Sequence, residues 1–182
     1  MPLDFGLLSM TELRTRPGEI LDRVADSGEA FIIERNGQRK ACLVPLSVLL
    51  PDISPVRIAD EIQQLVAEGE EPSTSFTEGK ELTFRFPIKI EDGTTAQISI
   101  VLPHGYPNNC PRVYSNAVRE STPHRWADGA LCLYGVMTGW NPGKHTVFST
   151  LNLARQWLRN YETWRKSGEW PQQEGLANDS NK

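Results

Sequence analysis

Cys132 stands between Leu131 and Leu133, three residues after Gly129 and eight before Trp140. A thiol just past a glycine turn, at the mouth of an apolar wall, is placed like a nucleophile: exposed enough to react, flanked by residues that fix it. The same neighbours also suit a cysteine that only fills space, since this residue type is among the most often buried. The other two cysteines are poorer nucleophile candidates. Cys42 falls in a stretch that reads as a strand, and Cys110 lies between Asn109 and Pro111 in a proline-rich turn. The cysteine spacings of 68 and 22 match no paired zinc motif. Neither a glycine-rich phosphate loop nor a metal-ligand cluster is visible, so no cofactor is expected.

The bulk of the chain narrows the classes. Its 182 residues suffice for one medium domain or two small ones. Hydrophobic residues make up only 38%, but five tryptophans add large burial per residue. A net charge of −4 argues against coating nucleic acid by bulk electrostatics and leaves room for a local basic patch. Few, odd-numbered cysteines read as a reducing compartment. The stretch from Met1 to Phe5 has no basic region followed by a long apolar run, so no signal peptide is expected. No apolar stretch approaches the ~20 residues that span a bilayer. A soluble cytoplasmic protein with no membrane partner is expected.

The elements around the cysteine divide into two units: a domain over 1–52, a joint over 51–56, a second domain over 57–171 and a polar tail, 172–182, expected to be disordered. In the first unit, Leu7 and Leu8 close a short apolar start. Ser9 with Glu12 has capping-box spacing for a helix from Met10. Pro17-Gly18 interrupts it, and a second helix over Glu19–Asp26 carries Ile20, Leu21 and Val24 on one face. Asn36-Gly37 between two β-prone runs is a strong hairpin signal. A short helix is expected from Leu46.

In the second unit, Arg57–Glu68 is an amphipathic helix with Ile58, Ile62, Leu65 and Val66 on one side. Residues 69–75 read as a loop. Leu82–Ile90 and Ala96–Leu102 alternate as a second hairpin, and residues 111–114 add a third strand. A long irregular segment then runs over 115–142, of a length that often carries function. Val147–Lys166 closes the unit as a long helix with an aromatic-rich face of Leu151, Leu153, Ala154, Trp157, Leu158, Tyr161 and Trp164.

The first unit resembles the Phd/YefM antitoxin family over about residues 5–50. The resemblance rests on Thr11-Glu12-Leu13-Arg14 through Val24, on Gly28-Glu29-Ala30-Phe31-Ile32-Ile33-Glu34-Arg35-Asn36-Gly37, and on Ala41-Cys42-Leu43-Val44-Pro45-Leu46. It implies a homodimer formed through the sheet, presenting Arg14, Arg16 and Arg23 to operator DNA, or a bound cognate toxin. Against DNA, residues 1–55 hold six Lys+Arg and eight Asp+Glu, a balance of −2. A solvated charged face on a dimerisation module is the competing reading. That family carries its toxin-neutralising segment as a flexible tail, whereas here a folded domain follows.

The second unit resembles the ubiquitin-conjugating fold. Tyr106-Pro107 with Cys110-Pro111-Arg112-Val113 is similar to the family's Tyr-Pro and Pro-Pro-x-Val element. Gly129-x-Leu131-Cys132-Leu133 is similar to its cysteine motif, and Trp140-Asn141-Pro142 to its Trp-x-Pro. The closing stretch from Trp157 to Trp170 is most similar to the bacterial branch, found with anti-phage systems built on cyclic-oligonucleotide synthases. The fold class implied is α+β: a small α/β-hairpin domain, then helix, antiparallel meander, cysteine loop and long C-terminal helix.

The resemblance implies that Cys132 carries a ubiquitin-like modifier as a thioester, received from an activating enzyme and passed to a lysine on a protein target. Where family members carry His-Pro-Asn, this chain has His124-Arg125-Trp126. His124, eight residues before Cys132, occupies the spacing of the family's oxyanion-stabilising Asn, and a ring N–H can serve that role. A structural hydrogen-bonding residue is the competing and favoured reading of this histidine. Asp128 and His145 are further candidates for orienting the attacking amine or tuning its pKa. The alternative function is an antitoxin or repressor whose C-terminal domain only binds. The retained cysteine favours the enzyme, and the missing Asn keeps the alternative open.

Overall fold

A computed structural model describes residues 5–50, 52–90, 93–119, 121–134 and 139–171. The proposed disordered tail, 172–182, lies outside the described residues, as does Pro51 of the joint. The chain divides into two compact units, Met1–Pro51 and Asp52–Lys182. No helix among the described residues is long and apolar enough to cross a membrane.

The first unit runs β1 (Phe5–Ser9), α1 (Met10–Thr15), α2 (Pro17–Ser27), β2 (Ala30–Arg35), β3 (Gln38–Leu43) and α3 (Leu46–Leu49). Ser9 caps α1 reciprocally: its hydroxyl accepts from the Glu12 N–H at 3.1 Å, and the Glu12 carboxylate accepts from the Ser9 N–H at 3.0 Å. Pro17 does not merely interrupt the helical run but opens α2, at a position where its missing N–H has no partner to lose. Asn36 (φ 53°) and Gly37 (φ 71°) turn β2 into β3, both left-handed as a two-residue hairpin turn demands.

The core joins Leu8, Ile20, Val24 and Phe31, with Leu13, Ile33 and Leu43 at its edge. Leu21, expected on that face, is exposed. The short apolar start around Leu7 and Leu8 is a strand, paired in parallel with β2 from Phe5↔Ala30 to Ser9↔Glu34. Its partner lies some 25 residues away, so local pattern alone did not mark it.

The second unit runs α4 (Pro55–Ala67), β4 (Ser73–Phe76), β5 (Leu82–Lys89), β6 (Thr95–Leu102), β7 (Arg112–Ser115) and α5 (Val147–Ser167). The strands form one antiparallel sheet in chain order. One face stacks Leu82, Phe84 and Phe86 beside Leu102, Ile100 and Ile98. The core is completed by Leu151, Ala154, Trp157, Leu158 and Tyr161 of α5 and by Ile58 and Leu65 of α4. Leu153 and Trp164 are only half-buried.

Two expectations are corrected here. The end of the polar stretch over 69–75 belongs to an edge strand: Ser75 pairs with Thr83 and Ser73 with Arg85. Ladder hydrogen bonds hold its serines and threonine, and Phe76 at its end is exposed. On α4, Ile62 and Val66 are 43% and 65% exposed, while Glu61 is 1% exposed. The buried face is Ile58–Glu61–Leu65, because the rest of the unit supplies partners for the carboxylate.

Candidate active site

The cysteine segment is a tight hairpin-like loop. Arg125 bridges Leu131 in antiparallel fashion. The Trp126 N–H donates to the Ala130 carbonyl at 2.8 Å, and the Gly129 N–H to the Trp126 carbonyl at 2.9 Å. Gly129 has φ +86°, and a Cβ there would stand 2.7 Å from Nη2 of Arg125, so the turn needs glycine on both counts. The Arg125 guanidinium donates to the Gly129 carbonyl at 3.0 and 2.9 Å and to the Arg119 carbonyl at 2.8 Å, clamping the loop from one side. The Leu131 N–H donates to the Val113 carbonyl at 2.7 Å, fixing the other end to β7.

Cys132 emerges from this loop half-buried, between the buried side chains of Leu131 and Leu133. The sulfur-bearing residue is therefore not sealed in an apolar layer. Its N–H donates to the His124 carbonyl at 2.9 Å. The eight-residue spacing thus brings His124 and Cys132 together through the backbone. The His124 ring lies instead against Trp170 (centroids 4.7 Å apart), and Trp170 packs on Trp157 at 5.0 Å. The same His124 carbonyl also accepts from Nε1 of Trp157 at 3.2 Å. His124 takes φ +57° to make these contacts.

Asp128 sits at the tip of the loop. Its carboxylate accepts from the Ala130 N–H at 3.1 Å and is ion-paired with Arg112 of β7. His145 lies on the far side, after the Trp-x-Pro element. Its Nδ1 accepts from the Asn141 N–H at 2.9 Å, which puts the proton of the neutral ring on Nε2. The ring packs against Tyr134 (5.1 Å) and Trp140 (5.4 Å). The structure thus ties His124 directly to Cys132 and gathers His145 with Tyr134. It holds Asp128 at the loop tip.

Beside the loop opens a cleft of about 680 Å³, lined among others by Trp126, Leu131, Leu133, Tyr134 and Trp140, with the Arg112–Asp128 pair and Cys110 at its border. Burial pushes the Tyr134 hydroxyl up to about 12, and it shares a 2.8 Å hydrogen bond with Thr150. Although Cys110 as a residue is exposed, partial burial of its thiol pushes it up to about 11, against the pull of Arg112. Cys110 is therefore a protonated thiol near neutral pH and a poor nucleophile.

A polar network that the sequence did not reveal holds the far side of the site. Nε of Arg57 donates to Glu61 at 2.7 Å. The Glu61 carboxylate also accepts from the Tyr106 hydroxyl and, at 2.7 Å, from the Val147 N–H that opens α5. Arg57 reaches on to the carbonyls of Pro142 (3.1 Å) and His145 (2.7 Å). Nε1 of Trp140 donates to the Pro107 carbonyl at 2.5 Å. Burial, and next the Glu61 carboxylate, hold the Tyr106 hydroxyl protonated well above the ordinary phenol range. Arg57 keeps its charge: burial works against it, but Tyr106 and Glu61 more than compensate. The motifs around Tyr106-Pro107 and Trp140-Asn141-Pro142 are thereby joined to α4 and α5. The available signal was the four-residue spacing of Arg57 and Glu61 on a helix, with the glutamate in the apolar stripe. Trp170 and Arg125 were also missed as site residues.

In the first unit, Arg23 donates to Glu29 at 2.9 and 2.5 Å, and Arg16 lies 3.4 Å from Glu19 and 3.9 Å from Glu12. Two of the three arginines considered for DNA thus already have carboxylate partners; Arg14 is exposed. Among the described residues no three His, Cys, Asp or Glu gather where they could hold a metal ion.

The meander, the cysteine loop and the long closing helix define a ubiquitin-conjugating-like domain. The chain belongs to the family described as Type II CBASS E2 protein, which matches residues 60–177. Residues 8–49 match the family described as Antitoxin Phd_YefM, type II toxin-antitoxin system. Among solved structures, the chain is similar to human ubiquitin-conjugating enzyme E2 G1, at 16% identity over 58% of this chain and 93% of that one, with a TM-score of 0.43. It is similar to a ubiquitin-conjugating enzyme E2 from Plasmodium falciparum at 18% identity over 57% and 96%, with a TM-score of 0.41. A Vps23 UEV solved with ubiquitin is similar at 13% identity over 70% and 92%, with a TM-score of 0.43. Among curated proteins nothing matches.

Proposed function

We propose that Cys132 accepts the C-terminal acyl group of a ubiquitin-like modifier from an activating enzyme, holds it as a thioester, and yields it to a lysine on a protein target. The observation that carries this reading is the half-buried cysteine fixed at the end of a clamped loop, in a chain of the Type II CBASS E2 protein family. We infer a place in anti-phage defence from that family. The Cys132 sulfur attacks the incoming thioester, and the attacking amine later displaces it. His124 positions the nucleophile through its carbonyl, and its ring is the candidate oxyanion donor once it leaves Trp170. Asp128 shapes the loop tip, and His145 is the further candidate for orienting the incoming amine.

The decisive test is a non-reducing gel after incubation with candidate activating enzyme, modifier and ATP. A thiol-sensitive adduct that disappears in Cys132→Ala supports the reading; a persistent absence of any adduct with its gene-neighbour partners rejects it. His124→Gly keeps the left-handed backbone and its carbonyl while removing the ring. Normal discharge by that variant would strip the ring of the oxyanion role.

The match of residues 8–49 to the antitoxin family supports a second role for the first unit. We propose that it forms a homodimer and touches operator DNA through Arg14, Arg16 and Arg23. A cognate toxin is the other partner this unit would take. Arg14→Ala should weaken binding to the DNA upstream of its own gene in a gel-shift assay; no DNA retention by the native chain would discard the DNA-binding role.

A further inference from the structure

Past the last turn of α5 the chain doubles back. Gly168 closes the helix in the left-handed region (φ +78°), and its N–H donates to the Trp164 carbonyl at 2.8 Å. The Ser167 side-chain oxygen accepts from the Glu169 N–H at 3.1 Å and fixes the reversal. This turn sets Trp170 against two rings at once, His124 at 4.7 Å and Trp157 at 5.0 Å. Trp170 is half-buried there, and Trp157 beneath it is buried.

His124 is where these contacts converge. Its φ of +57° lies in the left-handed region, which residues with a Cβ seldom adopt. In that conformation its carbonyl accepts from the Cys132 N–H at 2.9 Å and from Nε1 of Trp157 at 3.2 Å. A sparsely populated backbone conformation persists only where its surroundings over-determine it. Trp157 holds the carbonyl, Trp170 holds the ring, and the two indoles pack on each other. One aromatic pair thus grips both ends of the residue that accepts from the backbone N–H of the candidate nucleophile.

We propose that Trp170 is a positioning residue for Cys132: it acts through the His124 ring to keep the His124 carbonyl on the Cys132 N–H. The inference rests on the reading of Cys132 as the acyl carrier, and it describes the resting site, before the ring leaves Trp170. The segment just after α5 thereby takes part in setting the backbone that carries the nucleophile.

Hydrogen exchange of the Cys132 amide, followed residue by residue by NMR on the full chain, tests this. An aromatic contact shifts a local opening equilibrium by up to about tenfold. Trp170→Ala should therefore speed exchange at Cys132 about five- to tenfold. Trp170→Phe keeps a ring against His124 and should stay within about twofold of the native rate. His124→Gly supplies the discriminating background, since glycine adopts the same φ and keeps the carbonyl but offers Trp170 no ring. There, Trp170→Ala should add less than about twofold. Phe84 and Ile100, fully buried and paired across the sheet, are reference amides that should not change. The thiol is read in the same variants with iodoacetamide. A half-buried cysteine meets the reagent more often once its backbone opens, so alkylation of Cys132 should rise several-fold in Trp170→Ala and stay near native in Trp170→Phe, with exposed Cys42 constant. Unchanged exchange or alkylation at Cys132 in Trp170→Ala would overturn the positioning role. So would a rise matched at Phe84 and Ile100, or an equal rise in the His124→Gly background. None of these readouts involves a modifier. Failure of the native chain to form a thiol-sensitive adduct at Cys132 would overturn the acyl-carrier reading instead, and with it any part for Trp170 in transfer.

Discussion

The two units hold themselves together in different ways. In the first, the polar contacts are short in sequence and lie at the surface: Ser9 with Glu12, Arg16 with Glu19, Arg23 with Glu29. In the second, a buried glutamate and a partly buried arginine gather groups 45 to 88 positions away, at Tyr106, Pro142, His145 and Val147. Exposed pairs of near neighbours contribute little to stability because water screens them. A desolvated pair that also satisfies backbone groups behaves otherwise: removing one partner strands the other. The same kind of residue, a charged side chain on a helix, is ornament in one unit and framework in the other. The framework ties α4 to Tyr106 and to the segment between Pro142 and Val147 that follows the cysteine loop.

That contrast can be broken most sharply at Glu61. Glu61→Ala leaves Arg57, the Tyr106 hydroxyl and the Val147 N–H without their shared acceptor. The expected loss is about 3–5 kcal/mol of stability in the second unit. All five tryptophans lie in that unit, so urea unfolding followed by tryptophan fluorescence reads it alone. A midpoint unchanged from the native chain would dismiss the framework role.

A smaller effect is expected at the cysteine turn. Gly129→Ala imposes both a left-handed backbone and a contact of 2.7 Å with Arg125, for a cost of roughly 1–3 kcal/mol. The alkylation rate of Cys132 by iodoacetamide should change several-fold, while that of Cys42 stays constant. Gly37→Ala makes the matching perturbation in the first unit, where the hairpin turn has φ +71° and open space around the added Cβ. Strain alone gives about 1–2 kcal/mol, read by circular dichroism, with tryptophan fluorescence undisturbed.

Cys110 offers a comparison within the second unit. With its pKa at about 11, only about a thousandth of it is thiolate at pH 8. Its alkylation should be slow there and rise close to tenfold per pH unit until about pH 11. A plateau below pH 9 would contradict the partial burial of its thiol. The smallest effect is expected at the surface. Arg23→Ala removes the exposed pair with Glu29 and should leave the melting transition of the first unit nearly unchanged.

The same contrast decides what could be read from the chain alone. The capping box at Ser9 and Glu12 and the Asn36-Gly37 turn are written in adjacent residues. So are the motifs around Tyr106, Cys132 and Trp140. Strand β1 escaped notice because its evidence is a partner across the sheet. Strand β4 escaped because three of its four residues are serine and threonine and the fourth, Phe76, is exposed, so the ladder and not burial holds it. Ile62 and Val66 suggested the wrong face of α4, since Glu61 reads as polar until its partners are known. His124 illustrates the limit within the site. Its spacing marked it as a candidate for the ring's role, but the structure shows its carbonyl meeting the Cys132 N–H and its ring lying against Trp170.

The acyl-carrier role of Cys132 is tested most directly by intact-protein mass spectrometry of the full chain after loading with its activating enzyme, modifier and ATP. The account predicts one added modifier mass, released by hydroxylamine and lost in Cys132→Ala but retained in Cys110→Ala and Cys42→Ala. An adduct that survives Cys132→Ala, or that maps to either other cysteine, would contradict it.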